Sequence, residues 1–268
     1  MKKVLSVQDL SCLGKCSLTV ALPVLSAMGC SCSVLPTAVL STHTAFKDPH
    51  VHSLTEHIAP ICDHWQKIGA RFDTISVGYL SDPAQAAAVE YLLQKFPTFT
   101  VLDPAIGDHG KLYSGLTDEH VTAVKQLCKQ GNVLLPNVTE ACLLTGIPYK
   151  EIGDLAYYRQ LLDALTALGA ETVILTGISP EADVTGFMGI DKTSLEFHRL
   201  VPRQPKKCHG TGDLFTAVFT GCCVQGSPAD HAAETAAEFV ERVIAATPAQ
   251  SPFGIAFEPH LPWLQERR

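Results

Sequence analysis

A chain of 268 residues that is 46% hydrophobic and 18% charged has the composition of a globular protein with a large core. Its net charge is −7 and no run of Lys or Arg stands out, which argues against a nucleic-acid surface but leaves room for a small anion held locally. No apolar run reaches the ~18 residues that a membrane helix needs. Ten cysteines lie scattered through apolar segments, and those of so long a chain read as free thiols in a reducing compartment. Residues 1–7 run into a strand-like segment with no signal peptide before it, so a soluble, cytoplasmic protein is expected. Cys30-x-Cys32 and Cys222-Cys223 lack a partner pair at zinc-site spacing, and no metal is expected there.

Short β-branched runs alternate with longer helical patterns. Strands are expected at 4–7, 33–40, 74–77, 100–103, 132–135 and 171–176, and helices at 18–28, 52–68, 84–96, 117–129 and 152–168. Strands apolar on both faces, separated by helices, predict an α/β fold with a central, mostly parallel sheet covered on both sides. Near the end the rhythm changes. Residues 184–190 and 195–200 read as an antiparallel pair around Asp191-Lys192, and helices follow at 213–224 and 228–246. No repeat or low-complexity linker divides the chain, so 1–268 is read as one domain.

Cys208-His209-Gly210-Thr211-Gly212-Asp213, followed at once by an apolar helical run, is a tight loop opening into a helix. Such an opening leaves N–H groups unpaired at the positive end of the helix dipole, which suits a phosphate. Asp213 is either an N-terminal helix charge or the base that takes a proton from an attacking hydroxyl. In an open parallel sheet, ligands bind beyond the C-terminal ends of the strands. The residues there are Gln8 and Asp9, Ser41 to Thr44, Gly78-Tyr79, Asp103 with Asp108, Asn137 with Glu140, and Thr176-Gly177. Each alone reads as a cap or turn former. Together, Asp103, Asp108, Glu140 and Asp213 would crowd one rim with negative charge, which a magnesium–nucleotide complex would balance.

The segments Asp103-Pro104-Ala105-Ile106-Gly107-Asp108, Pro136-Asn137-Val138-Thr139-Glu140 and Gly210-Thr211-Gly212-Asp213, in that order, resemble the ribokinase superfamily. Within it, Val7-Gln8, Ser41-Thr42-His43-Thr44 and Gly78-Tyr79-Leu80 resemble the pyridoxal kinase branch. The resemblance spans nearly the whole chain. It implies a ribokinase-like three-layer α/β/α sandwich and ATP-dependent phosphorylation of the 5′-hydroxymethyl group of pyridoxal, pyridoxamine or pyridoxine, with Mg2+ and a monovalent cation (K+), in a homodimer. It makes Asp213 the base and Gly210, Thr211 and Gly212 the anion hole. Asn137, Glu140 and Asp103 fall at the metal, and Asp108, Tyr113, Thr176 and Gly212 at ATP. Asp9, His43, Thr44 and Tyr79, with Asp213, fall at the vitamin, although Tyr79 also reads as a core aromatic.

Departures from the family pattern leave alternatives open. Asp9 stands where Ser is usual, and either contacts the substrate's ring or amine or caps the following turn. Gly14-Lys15-Cys16-Ser17 is poorer in glycine than the family stretch, and Leu135 replaces a frequent Thr near the monovalent-cation site. Cys208-His209 is similar to a pair in some hydroxymethylpyrimidine kinases, which carry Cys where this chain has Asp213. A hydroxymethylpyrimidine kinase and a non-catalytic vitamin-binding protein are therefore the two competing readings. Residues 105–114, with Gly107, Gly110 and Lys111, are expected to form a mobile loop over the ligand.

Overall fold

Runs of Val, Ile, Leu and Thr zip into one nine-stranded sheet, and the segments between them coil into helices against its two faces. The structure, a computed structural model, describes residues 1–193, 195–206 and 208–266. In chain order the elements begin β1 (Lys3–Leu13), α1 (Leu18–Ala27), β2 (Ser31–Thr42), β3 (Val51–Ser53), α2 (Thr55–Lys67), β4 (Thr74–Val77), α3 (Ala84–Lys95) and β5 (Phe99–Leu102). A short hairpin follows, β6 (Gly107–Asp108) and β7 (Lys111–Leu112), then α4 (Asp118–Cys128), β8 (Val133–Leu134), α5 (Val138–Thr145) and α6 (Leu155–Thr166). The chain closes with β9 (Thr172–Ile178), β10 (Val184–Ile190), β11 (Glu196–Pro202), α7 (Thr211–Val224), α8 (Ala229–Ala246) and α9 (Leu261–Gln265).

The strand order is β11-β10-β9-β8-β5-β4-β1-β2-β3. Pairing is parallel from β9 through to β2 and antiparallel at both edges. Alternate strand residues feed two cores, as the two-residue period of a strand requires. Leu5, Val7, Leu102, Val173 and Leu175 pack with α2 to α6. Val4, Val101, Val133 and Ile174 pack with α1, α7, α8 and α9. This is the expected three-layer α/β/α arrangement. Burying each such aliphatic contributes about 1.5–3 kcal/mol. Among the described residues no helix is long and apolar enough to cross a membrane, and all ten cysteines are free thiols.

Several boundaries differ from expectation. Residues 51–53 are not helical. They form β3 against residues 38–40 of the preceding strand β2, an antiparallel pairing that overrides local propensity. Helix α6 starts at Leu155 rather than 152, because the Asp154 side chain accepts the Tyr157 N–H at 2.8 Å and sets the cap there. The stretch 105–114 is not an irregular loop. It holds the β6–β7 hairpin, in which Gly107 and Asp108 pair with Leu112 and Lys111. Strand β1 also runs on from Val7, where its partner β4 ends, to Leu13, with β2 alongside. A register irregularity between Gln8 and Leu10 marks the point where β1 runs past β4 and keeps only β2 beside it, and Asp9 occupies it.

Candidate active site

Helix α7 starts two residues earlier than its pattern predicts, at Thr211, with Gly210 as its N-cap. Gly210 has φ 87°, a left-handed conformation natural to glycine. A Cβ there would overlap the Lys15 carbonyl, so the loop before α1 lies directly against the start of α7. Thr211, Gly212 and Asp213 thus form the helix's first turn, whose N–H groups have no acceptor within the helix. Gly212 is exposed, with no atom within 4 Å of where its Cβ would stand, so open space faces this turn. An anion fits that space by hydrogen bonding and by the helix dipole.

Asp213 keeps part of its surface open to the cleft, while the surrounding protein lifts its pKa to about 7. Burial is the main cause. The Ser17 backbone N–H opposes it, and the charges of Asp103 and Asp9 add to it. Three residues further along α7, on the same face, the Thr216 hydroxyl donates to Asp103 at 2.8 Å. The Ala105 N–H donates to the other Asp103 oxygen at 3.2 Å. Burial nonetheless lifts Asp103 to about 6.

Asn137 and Glu140 form a reciprocal cap on α5. The Glu140 N–H donates to Asn137 Oδ1 at 3.0 Å, and Glu140 Oε2 accepts the Asn137 N–H at 2.9 Å. Glu140 Oε1 accepts the Ile106 N–H at 3.1 Å, and Asn137 Nδ2 donates to the Gly107 carbonyl at 2.8 Å. Burial, then the charge of Asp103, holds the Glu140 carboxyl well above the usual range. Tyr113 lies within electrostatic reach of Glu140, Asp108, Asp103 and Asp213, and burial with these charges raises its phenol well above normal. Thr176 bridges to Asn137 between neighbouring strand ends, half-buried.

The expected vitamin-side residues divide. Asp9 is buried at 2% exposure, accepts the Ser11 hydroxyl at 2.9 Å, and has its pKa raised by burial. Tyr79 is half-buried, and burial with the Asp9 charge lifts its phenol to about 12. Asp9 thus lies within electrostatic reach of both Tyr79 and Asp213. His43 belongs to a different cluster. It is 6% exposed, its Nε2 lies 3.2 Å from the Pro252 carbonyl, and its ring stands 4.8 Å from Phe46 and 4.9 Å from His209. Thr44 follows it, half-buried. Asp108 sits on the exposed hairpin, accepting the N–H of His109 at 2.7 Å. Sequence reasoning missed Thr216, Ser17 and residues 252–255. Thr216 was readable from its three-residue spacing to Asp213, whereas the others are brought in from distant segments.

None of Asp9, Asp103, Glu140 and Asp213 joins an ion pair among the described residues. Nor do three His, Cys, Asp or Glu side chains converge there as a direct metal cage. The rim is an unneutralised cluster of hard oxygen donors beside an anion cradle.

The sequence profile of the phosphomethylpyrimidine kinase family matches residues 22–256. The chain belongs to this family. A pyridoxine/pyridoxal/pyridoxamine kinase of Bordetella pertussis is 31% identical, over 87% of this chain and 85% of that one. Among solved structures, a Bacteroides thetaiotaomicron protein assigned to the phosphomethylpyrimidine kinases and crystallised with pyridoxal is 34% identical. The match covers 98% of this chain and 95% of that one, with a TM-score of 0.93. Pyridoxal kinase from Lactobacillus plantarum is 33% identical, covering 100% and 98%, with a TM-score of 0.91. The ribokinase-like fold and the kinase class expected from the sequence both hold for this member of the family.

Proposed function

We propose that the protein, acting as one kinase domain, transfers the γ-phosphoryl group of ATP to the 5′-hydroxymethyl group of vitamin B6 vitamers. The observation that carries this reading is the placement of the Asp213 carboxylate in the first turn of α7, on the same turn as the N–H groups of an anion cradle that faces open space. Asp213 takes the hydroxymethyl proton as the oxygen attacks phosphorus in line and ADP departs. The N–H groups of Gly210, Thr211 and Gly212 are assigned to the charge that develops on the transferred group. Tyr79 offers an apolar ring face to the pyridine, with Asp9 beside it and Thr44 and His43 at the far wall. Thr176, Tyr113 and Asp108 are assigned to the nucleotide side.

Magnesium bound here would neutralise the phosphates, and the donors fit it. Asn137, Glu140 and Asp103 present hard oxygens without a cation, and the lack of a direct cage suits an ion that keeps its water. A potassium ion would receive no side-chain oxygen from Leu135, which is buried at 3% exposure. Glu140→Gln should raise the magnesium concentration for half-maximal rate more than it changes vitamin affinity. It should also lower stability by about 1–3 kcal/mol, because an amide cannot accept from both the Asn137 and Ile106 N–H groups. Magnesium titrations and thermal melts check the two effects separately, and an unchanged magnesium dependence would leave Glu140 as a helix cap only.

The hairpin is proposed as a closing element that keeps water from the phosphoryl group. It is tied to α5 by the Gly110 N–H, which donates to Thr139 Oγ1 at 2.9 Å, leaving Asp108 and His109 exposed. Limited proteolysis should cut at this tip in the ligand-free protein and be blocked by ATP with magnesium. Asp108→Ala should transfer more slowly and lose a larger share of ATP to water. An unchanged hydrolysis-to-transfer ratio, with cleavage elsewhere, would make the hairpin a rigid connection.

The competing acceptor is hydroxymethylpyrimidine, which shares the pyrimidine ring named in the family's description. Against it stand Asp213 in place of a thiol and the vitamin B6 names of the relatives. Purified protein incubated with Mg-ATP and each of pyridoxal, pyridoxamine, pyridoxine and hydroxymethylpyrimidine decides the matter by ADP release and phosphorylated product. A rate confined to the pyrimidine would overturn the B6 assignment, and ADP release with none of them would leave a binding protein. A cytoplasmic homodimer completes the proposal, with exposed Leu10, Leu13 and Val51 on the projecting strands as contact candidates. Sedimentation of the purified protein tests the assembly.

A further inference from the structure

The last carbonyls of α8 lack donors within the helix and lie at the negative end of its dipole, yet its own last turn carries no basic residue. The cation that meets them comes from elsewhere. Lys206, half-buried, stands four residues before Gly210. Its ammonium donates to the carbonyls of Ile244, Ala245 and Thr247 at 3.2, 2.8 and 2.8 Å. An ammonium has three N–H donors, and these acceptors use all of them. Among the described residues no carboxylate pairs with Lys206, so backbone oxygens meet its charge. Converging carbonyls without a carboxylate are what replaces the hydration shell of a potassium ion in a protein.

The segment after α8 returns to the anion cradle. The Thr247 hydroxyl donates to the Val243 carbonyl at 2.7 Å and accepts the Ala256 N–H at 3.1 Å. The Ile255 N–H donates to the His209 carbonyl at 3.2 Å, and a Cβ on Gly210 would stand 3.6 Å from Ile255 Cγ1. The end of α8 and the entry to the cradle are therefore stitched together twice, at Lys206 and at His209. Both Thr247 and Ile255 are 1% exposed, so the seam between the two stitches is dry. We propose that Lys206 is a built-in monovalent cation, whose ammonium fills a carbonyl site at the end of α8 and holds the anion cradle in position. The chain then transfers phosphoryl groups without potassium or ammonium from solution. This rests on the reading of the protein as a kinase. Lys206 is a positioning residue, since it acts through the backbone of the cradle. A tethered ammonium fills the site at every salt concentration, whereas a free ion would lose translational freedom on binding.

The test compares the full-length parent, Lys206→Ala and Lys206→Met by steady-state kinetics and thermal melts, in tetramethylammonium chloride free of potassium and ammonium. The parent should turn over equally fast when potassium or ammonium replaces tetramethylammonium, an ion too bulky for the site. Lys206→Ala should lose roughly 10- to 100-fold in kcat, with KM for the vitamin within about threefold, because the cradle's donors are displaced. Added ammonium or potassium should restore most of that loss with saturation, and raise the variant's melting temperature over the same concentrations. Lys206→Met loses the ammonium but keeps a stem in the way, so it should show the loss without the rescue. A parent that needs potassium, or a loss in Lys206→Ala that neither ion repairs, overturns the inference. A lower melting temperature with parental kcat also overturns it and leaves Lys206 as a helix cap. If Lys206→Ala is recovered only unfolded, its refolding takes the place of the kinetics, and refolding that ignores ammonium overturns the inference. Should the parent phosphorylate none of the alcohols, the kinase reading falls by itself. The melting of Lys206→Ala then still decides, by its response to ammonium, whether the site takes a monovalent cation.

Discussion

Asp213→Asn is expected to bind nucleotide and vitamin and to transfer the phosphoryl group ~10²–10⁴-fold more slowly, the range for loss of a general base. The amide keeps the shape of the side chain but cannot take the proton. In the parent, the rate should rise with pH through about 7, because Asp213 must be ionised to act and burial has lifted it that far. That acid limb should be missing from the variant's residual rate. Stability should move the other way. Folded Asp213 binds its proton more tightly than the unfolded residue, whose pKa lies near 3.8. The ligand-free parent therefore loses stability as pH rises from that value through about 7. The amide of the variant does not ionise, so above pH 7 the variant should melt at or above the parent's temperature. Near-parental turnover with binding intact would remove Asp213 from the mechanism, and parallel pH–melting curves would show that its carboxyl is not buried as described.

Gly210→Ala should be nearly as damaging for a steric reason. At φ 87° an alanine pays about 1–2 kcal/mol for its backbone alone. Its Cβ would also overlap a backbone carbonyl, that of Lys15, which cannot swing aside as a side-chain end could. Either the first turn of α7 unwinds or loop 14–17 shifts, and both displace the N–H groups that meet the transferred phosphoryl. Losing one such donor commonly costs 10²–10³-fold, so a loss of about 10²-fold or more in kcat is expected, with a lower melting temperature. Gly212→Ala is the control. Open space surrounds that position, so the variant should melt with the parent, while its Cβ takes up room meant for phosphate and raises KM for ATP. Equal effects of the two substitutions would contradict the separate roles given to these glycines.

Much of this was legible along the chain because it is local. The strands at 74–77 and 184–190 and the helices after Gly210 and Pro228 are written in runs of branched aliphatics, in periodicity and in glycine placement, which act over a few residues. Asn137 and Glu140 announce a cap through their three-residue spacing, and the glycines of Gly210-Thr211-Gly212 announce an anion cradle next to a carboxylate. The chemistry that these residue types can perform was likewise readable before any contact was known.

What only the tertiary structure decided are the consequences of distant segments meeting. Strand β3 exists because residues 51–53 find the edge of β2, and the 107–112 hairpin is secured by side chains of α5. His43 is drawn to His209 and the Pro252 carbonyl, contacts that nothing in the sequence announces. The pKa of Asp213 is a property of no motif. It arises first because the packed protein around the start of α7 buries the carboxyl, and then because the charges of Asp103 and Asp9, from distant segments, add to that. The left-handed Ser17 is equally silent in sequence, since serine has no preference for φ 50° and only the surrounding contacts hold it there. Periodicity reports which face of an element is buried. Which carboxylates then face one another depends on strand order, and strand order is set by packing across the whole sheet.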